Sequence, residues 1–102
     1  MNKLSVSKLK LDEILKKGDT VTLIDVRTLE EFNEGHFQGA VCIPVDEISK
    51  EMMETHGITT DCSIICYCLS GGRSARACTK LQSLGYANVT NVEGGLMALR
   101  KM

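Results

Sequence analysis

The sequence predicts an α/β fold in which a parallel β-sheet carries helices on both faces. The first observation is a set of short apolar runs with β-branched residues, typical of buried strands. These runs span residues 21–25, 39–44, 62–67 and 88–92. The second observation is that helix-like segments separate the runs, and strands joined through helices pair in parallel. Ligands in such sheets bind at the carboxyl ends of the strands, so the residues after each run are candidates for a site.

The first third of the chain predicts two helices and one strand. Residues 7–18 place leucines and an isoleucine at helical spacing and end at Gly18, which favours a helix. The run 21–25, VTLID, lies between polar stretches and predicts a buried strand. A short helix is expected after it, because Thr28 and Glu31 have the spacing of a capping box.

The middle of the chain predicts a second strand and a longer helix. The strand lies within residues 39–44 and ends at Pro44, which cannot donate a backbone hydrogen bond. The helix lies within residues 46–57 and ends at Gly57. Its expected core face carries Ile48, Met52 and Met53 at helical spacing.

The last part of the chain gives the clearest strand pattern. Residues 62–67, CSIICY, form a short, continuous and β-branched run. A helix is predicted over residues 74–85, with Gly85 in the position that follows a helix end. Its apolar side is predicted to hold Ala77, Cys78, Leu81 and Leu84. A last short strand within 88–92 and a final helix within 94–102 complete the alternation.

Length and composition predict a single domain over residues 1–102 and exclude several classes of function. The net charge of −1 gives no electrostatic basis for binding nucleic acid or a membrane surface. No apolar run approaches the ~20 residues that span a bilayer. The first ten residues contain no apolar segment of a signal peptide, which predicts a cytoplasmic location.

The five cysteines are expected to be reduced thiols, because their number is odd and the expected compartment is reducing. Cys66 and Cys68 form a C-x-C pair, but no second pair or histidine cluster completes a set of zinc ligands. The sequence therefore predicts neither a metal nor another cofactor. Cys42, Cys62, Cys66 and Cys78 are interpreted as structural thiols, since most free cysteines are buried and inert.

The segment CLSGGRS, residues 68–74, is the strongest candidate for a site. A strand delivers Cys68 to the edge of the sheet, and Gly71 and Gly72 allow backbone conformations that other residues resist. Successive N–H groups of such a loop form an anion-binding nest at the start of a helix expected near Ser74. Together with the Arg73 guanidinium, these groups favour a thiolate and a negatively charged adduct on its sulfur.

Local physical chemistry alone leaves two interpretations of Cys68 equally open. It is either one more buried thiol or a nucleophile for covalent catalysis. The helix end contributes about 0.3–1 kcal/mol, which is less than one pKa unit at ~1.36 kcal/mol per unit. Helix, nest and Arg73 must therefore act together to bring the thiol pKa toward neutrality.

Three segments resemble the rhodanese family, specifically its single-domain sulfurtransferases. LIDVRTLEEFNEGHFQGAVCIP is similar to the first signature of the family. YCLSGGRSARA resembles its active-site loop, with Cys68 first and Arg73 sixth. LGYANVTNVEGG resembles the last strand and its glycine turn. The three segments occur in the family's order and cover nearly the whole chain.

The resemblance implies a sulfur transfer through a persulfide on Cys68. The expected partners are a small donor such as thiosulfate and a thiol or protein that accepts the sulfur. The main chain and side chains that would bind the substrate are those of Leu69, Ser70, Gly71, Gly72, Arg73 and Ser74. Asp25 and Arg27 are expected to organise the surrounding loops. A structural role is expected for His36, because an ionised thiol needs no general base.

Two features of the loop bear on the alternative functions: one argues against phosphatase chemistry, and the other leaves a protein-interaction or sulfur-relay module open. Four residues separate Cys68 from Arg73, whereas a related class of phosphatases has five, so the shorter loop favours sulfur over phosphate. Leu69 stands where many family members have a polar or charged residue. An apolar rim suits a protein surface better than a small anion, which leaves open a protein-interaction or sulfur-relay module. Leu96 and Met97, where family members often carry tryptophan, are expected to change packing rather than chemistry.

Overall fold

The computed structural model describes residues 4–6, 21–92 and 94–100. The strands are β1 (Leu4–Val6), β2 (Val21–Asp25), β3 (Val41–Cys42), β4 (Ser63–Tyr67) and β5 (Val89–Val92). The helices are α1 (Leu29–Glu34), α2 (Lys50–Thr55), α3 (Gly72–Ser83) and α4 (Gly95–Arg100), and a 3₁₀ turn spans Val45–Glu47. None of these helices is long and apolar enough to cross a membrane.

The five strands form one parallel sheet in the order β1-β5-β4-β2-β3. The predicted α/β fold with parallel pairing is therefore confirmed, and β4, the clearest strand pattern, lies at its centre. β1 was not predicted, because three residues in a polar context give no apolar run. It pairs with β5 at the edge of the sheet.

The register decides which side chains share a face of the sheet. Asp25 is paired with Tyr67, and Cys66 is paired with Asn91. Paired residues of parallel strands point to the same face, and consecutive residues point to opposite faces. Cys66 and Asn91 therefore lie on one face, and Asp25 and Tyr67 lie on the other.

Each face of the sheet has its own apolar core. The core on the Cys66 face includes Met53 of α2 and Ala77, Cys78 and Leu81 of α3. The core on the Tyr67 face includes Leu96 of α4. Helices cover both faces, as the sequence predicted.

The helix after β2 begins as predicted. Thr28 is the N-cap of α1, its side chain accepts a hydrogen bond from the Glu31 N–H, and the Glu31 side chain accepts one from the Thr28 N–H. This capping box is confirmed, whereas the predicted helix over residues 7–18 lies outside the described residues. The capping box fixes the direction in which α1 leaves the sheet.

The helix predicted within residues 46–57 is interrupted. The chain forms the 3₁₀ turn, passes through Ile48 in an extended conformation, and restarts as α2 with Ser49 as N-cap. The Ser49 side chain accepts a hydrogen bond from the Met52 N–H, which competes with continuation of one helix through this point. Gly57 follows α2 with a φ of +73°, consistent with the predicted stop.

The start of α3 also differs from the prediction. The helix begins at Gly72 rather than near Ser74, and Gly71 is its N-cap with a φ of +110°. Gly71 therefore has the left-handed conformation that glycine tolerates, whereas Gly72 is an ordinary helical residue. Consequently Arg73 and Ser74 belong to the first turn of α3, and their side-chain directions follow from the helix.

Candidate active site

Cys68 lies directly after β4, at the carboxyl end of the central strand, and is only 1% exposed. Two backbone hydrogen bonds from α4 hold this part of the chain. The Leu96 N–H donates to the Cys68 carbonyl at 2.7 Å, and the Met97 N–H donates to the Leu69 carbonyl at 3.0 Å. The start of α4 therefore fixes the backbone on both sides of the peptide bond that follows Cys68.

The Cys68 sulfur is surrounded by donors from the loop and from α3. The Gly71 N–H donates to Sγ at 3.0 Å, and the Ser74 N–H donates at 3.4 Å. The Ser74 hydroxyl oxygen lies 3.5 Å from the same sulfur. This is the nest of donors that the sequence predicted, and a thiolate is the form of sulfur that accepts from all of them.

The pKa of Cys68 is lowered from its ordinary value by a balance of opposing causes. Burial alone raises the pKa of the thiol, because it disfavours the charged form. Hydrogen bonds from the Ser74 side chain and from the backbone of Ser74, Gly71 and Ser70 lower the pKa and outweigh burial. The Ser74 hydroxyl and the main-chain N–H groups of the loop together favour a thiolate at this site.

Ser74 has a second set of contacts behind the sulfur. Its side chain is buried, and its hydroxyl oxygen lies 3.1 Å from the Gly71 carbonyl oxygen. The hydroxyl also lies within hydrogen-bond distance of the Asn91 Oδ1 atom on β5. Asn91 was not predicted as a site residue. Its only sequence signal is a polar residue within the strand VTNV.

Arg73 occupies the predicted loop, but its guanidinium is held by a carboxylate. Nη1 and Nη2 donate to Glu31 Oε1 and Oε2 at 2.8 and 3.1 Å. The hydrogen bond with Arg73 is the main reason that the pKa of Glu31 falls to about 2. The Arg73 charge is therefore largely offset, so the sulfur depends more on neutral donors than on this cation.

Asp25 and Arg27 form a buried ion pair on the opposite face of the sheet from Cys66. Arg27 Nε lies 2.9 Å from Asp25 Oδ1, and Nη2 lies 2.7 Å from Oδ2. Nη2 also donates to the Gly35 carbonyl at 2.7 Å, which connects the end of β2 to the loop after α1. The pair thus ties two loops at the carboxyl edge of the sheet, and its expected role in organising the site stays a prediction.

The Tyr67 side chain extends this buried polar network. The Phe37 N–H donates to the Tyr67 hydroxyl oxygen at 2.9 Å. Burial, with a smaller contribution from Asp25, raises the pKa of Tyr67, so the phenol remains protonated. Because Tyr67 directly precedes Cys68, the network fixes the chain immediately before Cys68.

The other four thiols have environments different from that of Cys68. Cys66 and Cys78 are buried, and their mutual contact together with burial raises the pKa of Cys66. Cys42 and Cys62 are half-buried; burial raises the pKa of Cys42, and hydrogen bonds with Thr59 lower that of Cys62. No group of three or more potential metal ligands occurs in the described part of the chain.

His36 lies on the surface beside α1. Its ring stacks on Phe32 with the ring centres 3.6 Å apart, and Nδ1 lies 2.9 Å from the Phe32 carbonyl oxygen. These contacts are within the same short stretch of chain. They give His36 a local structural role, as expected from the sequence.

The comparison with known families decides the classification. A profile of the Rhodanese-like domain matches residues 7–102. The chain belongs to the rhodanese family. A solved rhodanese-related protein from Thermoplasma volcanium is 28% identical, with a TM-score of 0.80, and the match covers 96% of this chain and 91% of that one.

Several rhodanese relatives of the chain are enzymes by name. It is 36% identical over 88 residues to a "Sulfurtransferase" of Allochromatium vinosum, covering 86% of this chain and 79% of that protein. It is 39% identical over 88 residues to "Thiosulfate sulfurtransferase 16, chloroplastic" of Arabidopsis thaliana, covering 76% and 72%. Another relative, a "tRNA uridine(34) hydroxylase" of Xanthomonas euvesicatoria, is 32% identical, but the chain spans only 34% of it. The resemblance to the rhodanese family is therefore confirmed, and the relatives in that family include sulfurtransferases.

Proposed function

We propose that this rhodanese domain is a sulfurtransferase that carries sulfane sulfur as a persulfide on Cys68. The observation that carries the proposal is the set of donors around the Cys68 sulfur, from Gly71 and Ser74. These groups favour the thiolate, which is the nucleophilic form of cysteine. On the proposed persulfide, the same groups would stabilise negative charge on sulfur.

The proposed reaction has two displacement steps. The Cys68 thiolate attacks the outer sulfur of thiosulfate, a new S–S bond forms, and the old S–S bond breaks with its electron pair leaving on sulfite. An acceptor thiolate then attacks the terminal sulfur of the Cys68 persulfide and the electron pair returns to the Cys68 sulfur. No external oxidant or reductant is needed, and ping-pong kinetics are expected.

The donor and the acceptor belong to the proposal. Thiosulfate or a persulfide supplies the sulfur, and a thiol or a protein accepts it in the cytoplasm. The hydrogen-bond donors around Cys68 suit either sulfur source, because both sources leave the same persulfide on the enzyme. The name of the Arabidopsis thaliana relative supports thiosulfate as the first donor to test.

Mass spectrometry after incubation with thiosulfate tests the proposal directly. We expect one additional sulfur atom on Cys68 and formation of thiocyanate when cyanide is added. Cys68→Ser abolishes both, whereas Cys62→Ser changes neither, because Cys62 precedes β4 and lies roughly 20 Å away along the strand. An unmodified Cys68 together with no thiocyanate overturns the proposal, and hydrolysis of an aryl phosphate that depends on Cys68 indicates phosphatase chemistry instead.

A second candidate function is sulfur relay to a protein partner. Leu69 is 36% exposed and Met97 is 48% exposed, and a backbone hydrogen bond of 3.0 Å joins these two residues beside Cys68. Exposed apolar side chains next to a nucleophile favour contact with another protein surface. Rapid uptake of sulfur from a persulfidated protein, alongside slow turnover of thiosulfate, supports the relay. Full biological function in Cys68→Ser supports a non-catalytic interaction module.

A further inference from the structure

Asn91 is a polar residue on a face of the sheet that packs into an apolar core. The register pairs it with Cys66, so its side chain lies on the face of the sheet that α3 covers. It is 9% exposed, and Val89, two residues earlier on the same face, belongs to the apolar core. A nearly buried amide in this setting requires hydrogen-bond partners, and among the described residues the Ser74 hydroxyl lies within hydrogen-bond distance of Asn91 Oδ1.

The Ser74 hydroxyl has one hydrogen and three neighbouring acceptors. These are the Gly71 carbonyl at 3.1 Å, the Cys68 sulfur at 3.5 Å and Asn91 Oδ1. A hydrogen bond to a charged acceptor is roughly twice as strong as one to a neutral acceptor. The hydrogen is therefore expected to turn to the sulfur when Cys68 is ionised, which leaves Asn91 Oδ1 facing another oxygen without a proton between them.

The Asn91 amide can remove this conflict by a half-turn. An amide has an acceptor at one end and two donors at the other, and the two ends have nearly the same shape. With Nδ2 toward Ser74, Asn91 donates to the hydroxyl oxygen and the hydroxyl donates to the sulfur. With Oδ1 toward Ser74, the chain of hydrogen bonds runs in the opposite direction, from a neutral Cys68 thiol through Ser74 to Asn91.

We propose that Asn91 is a positioning residue whose amide reverses with the charge on Cys68 and thereby directs the Ser74 hydrogen to the thiolate or persulfide. The inference rests on the proposed function in taking Cys68 as the nucleophile. Two states follow. In the neutral state the hydrogen bonds run from Cys68 to Asn91, and in the anionic state they run from Asn91 to Cys68.

The direction of these hydrogen bonds depends on pH through the ionisation of the Cys68 thiol. Among the described residues, Cys66 on β4 and Arg73 on α3 interact electrostatically with it. The pKa of Cys66 is raised well above its ordinary value and that of Arg73 is raised by Glu31, so neither changes charge near neutrality. A change in the environment of Asn91 over a pH range in which neither of these groups changes charge therefore reports on the Cys68 thiol.

Nuclear magnetic resonance of the Asn91 side-chain NH₂ group tests the reversal in the unmodified protein. We expect its resonances to shift with the same apparent pKa as alkylation of Cys68 by iodoacetamide. The titration is expected to disappear in Ser74→Ala, since the connecting hydroxyl is then missing. Asn91 resonances that remain constant while the Gly71 N–H resonance titrates would overturn the inference.

A double-mutant cycle separates action through Ser74 from direct charge repulsion. Asn91→Asp replaces the two donors by acceptors, and the apparent pKa of Cys68 is expected to rise by about one unit. In the Ser74→Ala background the same replacement is expected to have a clearly smaller effect. Asn88→Asp, the same change at an exposed position before β5, is the control and is expected to leave the pKa unchanged. Equal effects of Asn91→Asp in both backgrounds contradict the inference.

These measurements need no sulfur donor. If Cys68 forms no persulfide but the Asn91 resonances titrate with its thiol, only the proposed function fails. If the persulfide forms and the Asn91 resonances stay constant, only the inference fails. If Asn91→Asp destabilises the protein, the titration of the Asn91 resonances in the protein without substitutions decides the question.

Discussion

The guanidinium of Arg73 and the carboxylate of Glu31 form a two-point ion pair between residues 42 positions apart in the sequence. Glu31 Oε1 also accepts the Thr28 N–H at 3.1 Å, so one carboxylate caps α1 and holds the first turn of α3. The pair therefore connects the start of α1 with the loop that contains Cys68. This contact also explains why Arg73 is not free to act as an isolated cation beside the sulfur.

Glu31→Gln is expected to lower the free energy of unfolding by about 1 kcal/mol at pH 7, the upper range for a partly exposed ion pair. The folded-state pKa of about 2 lies below the ordinary value of 4.5, so this contribution is complete above pH 4.5 and is lost as the pH falls toward 2. Urea unfolding at pH 7 and at low pH measures the difference. Glu30→Gln, on an exposed neighbour, is the control. A difference between native protein and Glu31→Gln that persists unchanged near pH 2 contradicts the prediction.

Gly95→Ala is expected to distort the backbone beside Cys68. A Cβ atom at Gly95 would lie 2.4 Å from the Cys68 carbonyl oxygen and 2.8 Å from the Leu69 carbonyl group, with φ at +60°. We expect a loss of about 2–4 kcal/mol in unfolding free energy, from overpacking and the left-handed conformation together. Persulfide formation on Cys68 should fall in parallel, as measured by mass spectrometry.

Gly57→Ala is the matched control for the Gly95 variant. Gly57 has a similar φ of +73°, but a Cβ atom there meets nothing within 4 Å. It should therefore cost only the conformational part, about 1–2 kcal/mol, and leave persulfide formation intact. Equal losses of stability in both variants would show that the contact with Cys68 and Leu69 is unimportant.

The sequence predicted what depends on short-range patterns. The strand over 62–67, the capping box at Thr28 and the donor loop after Cys68 each follow from residues close together in the chain. The pairs Glu31–Arg73 and Ser74–Asn91 depend on register and on the direction in which helices leave the sheet. Neither can be inferred from spacing.

Glu31 shows why such a pair is missed. It already had a complete local explanation as a capping residue, so nothing in the sequence indicated its second contact. The same holds for the start of α3, because the conformation of Gly71 decides it and either of two adjacent glycines could have adopted that conformation. Long-range contacts therefore became known only from the structure. The same is true of which of two adjacent glycines adopts the left-handed conformation.

Arg27→Met is expected to be strongly destabilising. Asp25 is completely buried and Arg27 is 3% exposed, so removing the cation leaves a buried carboxylate without its partner. Such a change costs about 3–5 kcal/mol. Urea unfolding of Arg27→Met and of Asp25→Asn/Arg27→Met measures the effect. The double variant should recover part of the loss, and a double variant at least as unstable as Arg27→Met would contradict the role of the unpaired charge.

Leu69→Arg is expected to improve the use of thiosulfate. Leu69 is partly exposed beside Cys68, and the charge of Arg73 is already offset by Glu31, so an added cation gives the dianionic donor a new attraction. An exposed charge pair contributes roughly 0.2–1 kcal/mol, which corresponds to up to about a fivefold rise in kcat/KM. The gain should shrink with added salt, because exposed charges are screened.

Leu29→Arg provides the control for the Leu69 variant. Leu29 is the most exposed of the large apolar residues described, at 59%, and lies on α1 rather than on the loop of Cys68. The Leu29→Arg substitution adds the same charge to the protein, but at a position that lacks the backbone contact by which Leu69 is joined to α4. Steady-state kinetics with thiosulfate at low and high ionic strength compare the two variants. A gain in Leu29→Arg equal to that in Leu69→Arg, or a gain insensitive to salt, would show that Leu69 does not set the preference for the donor.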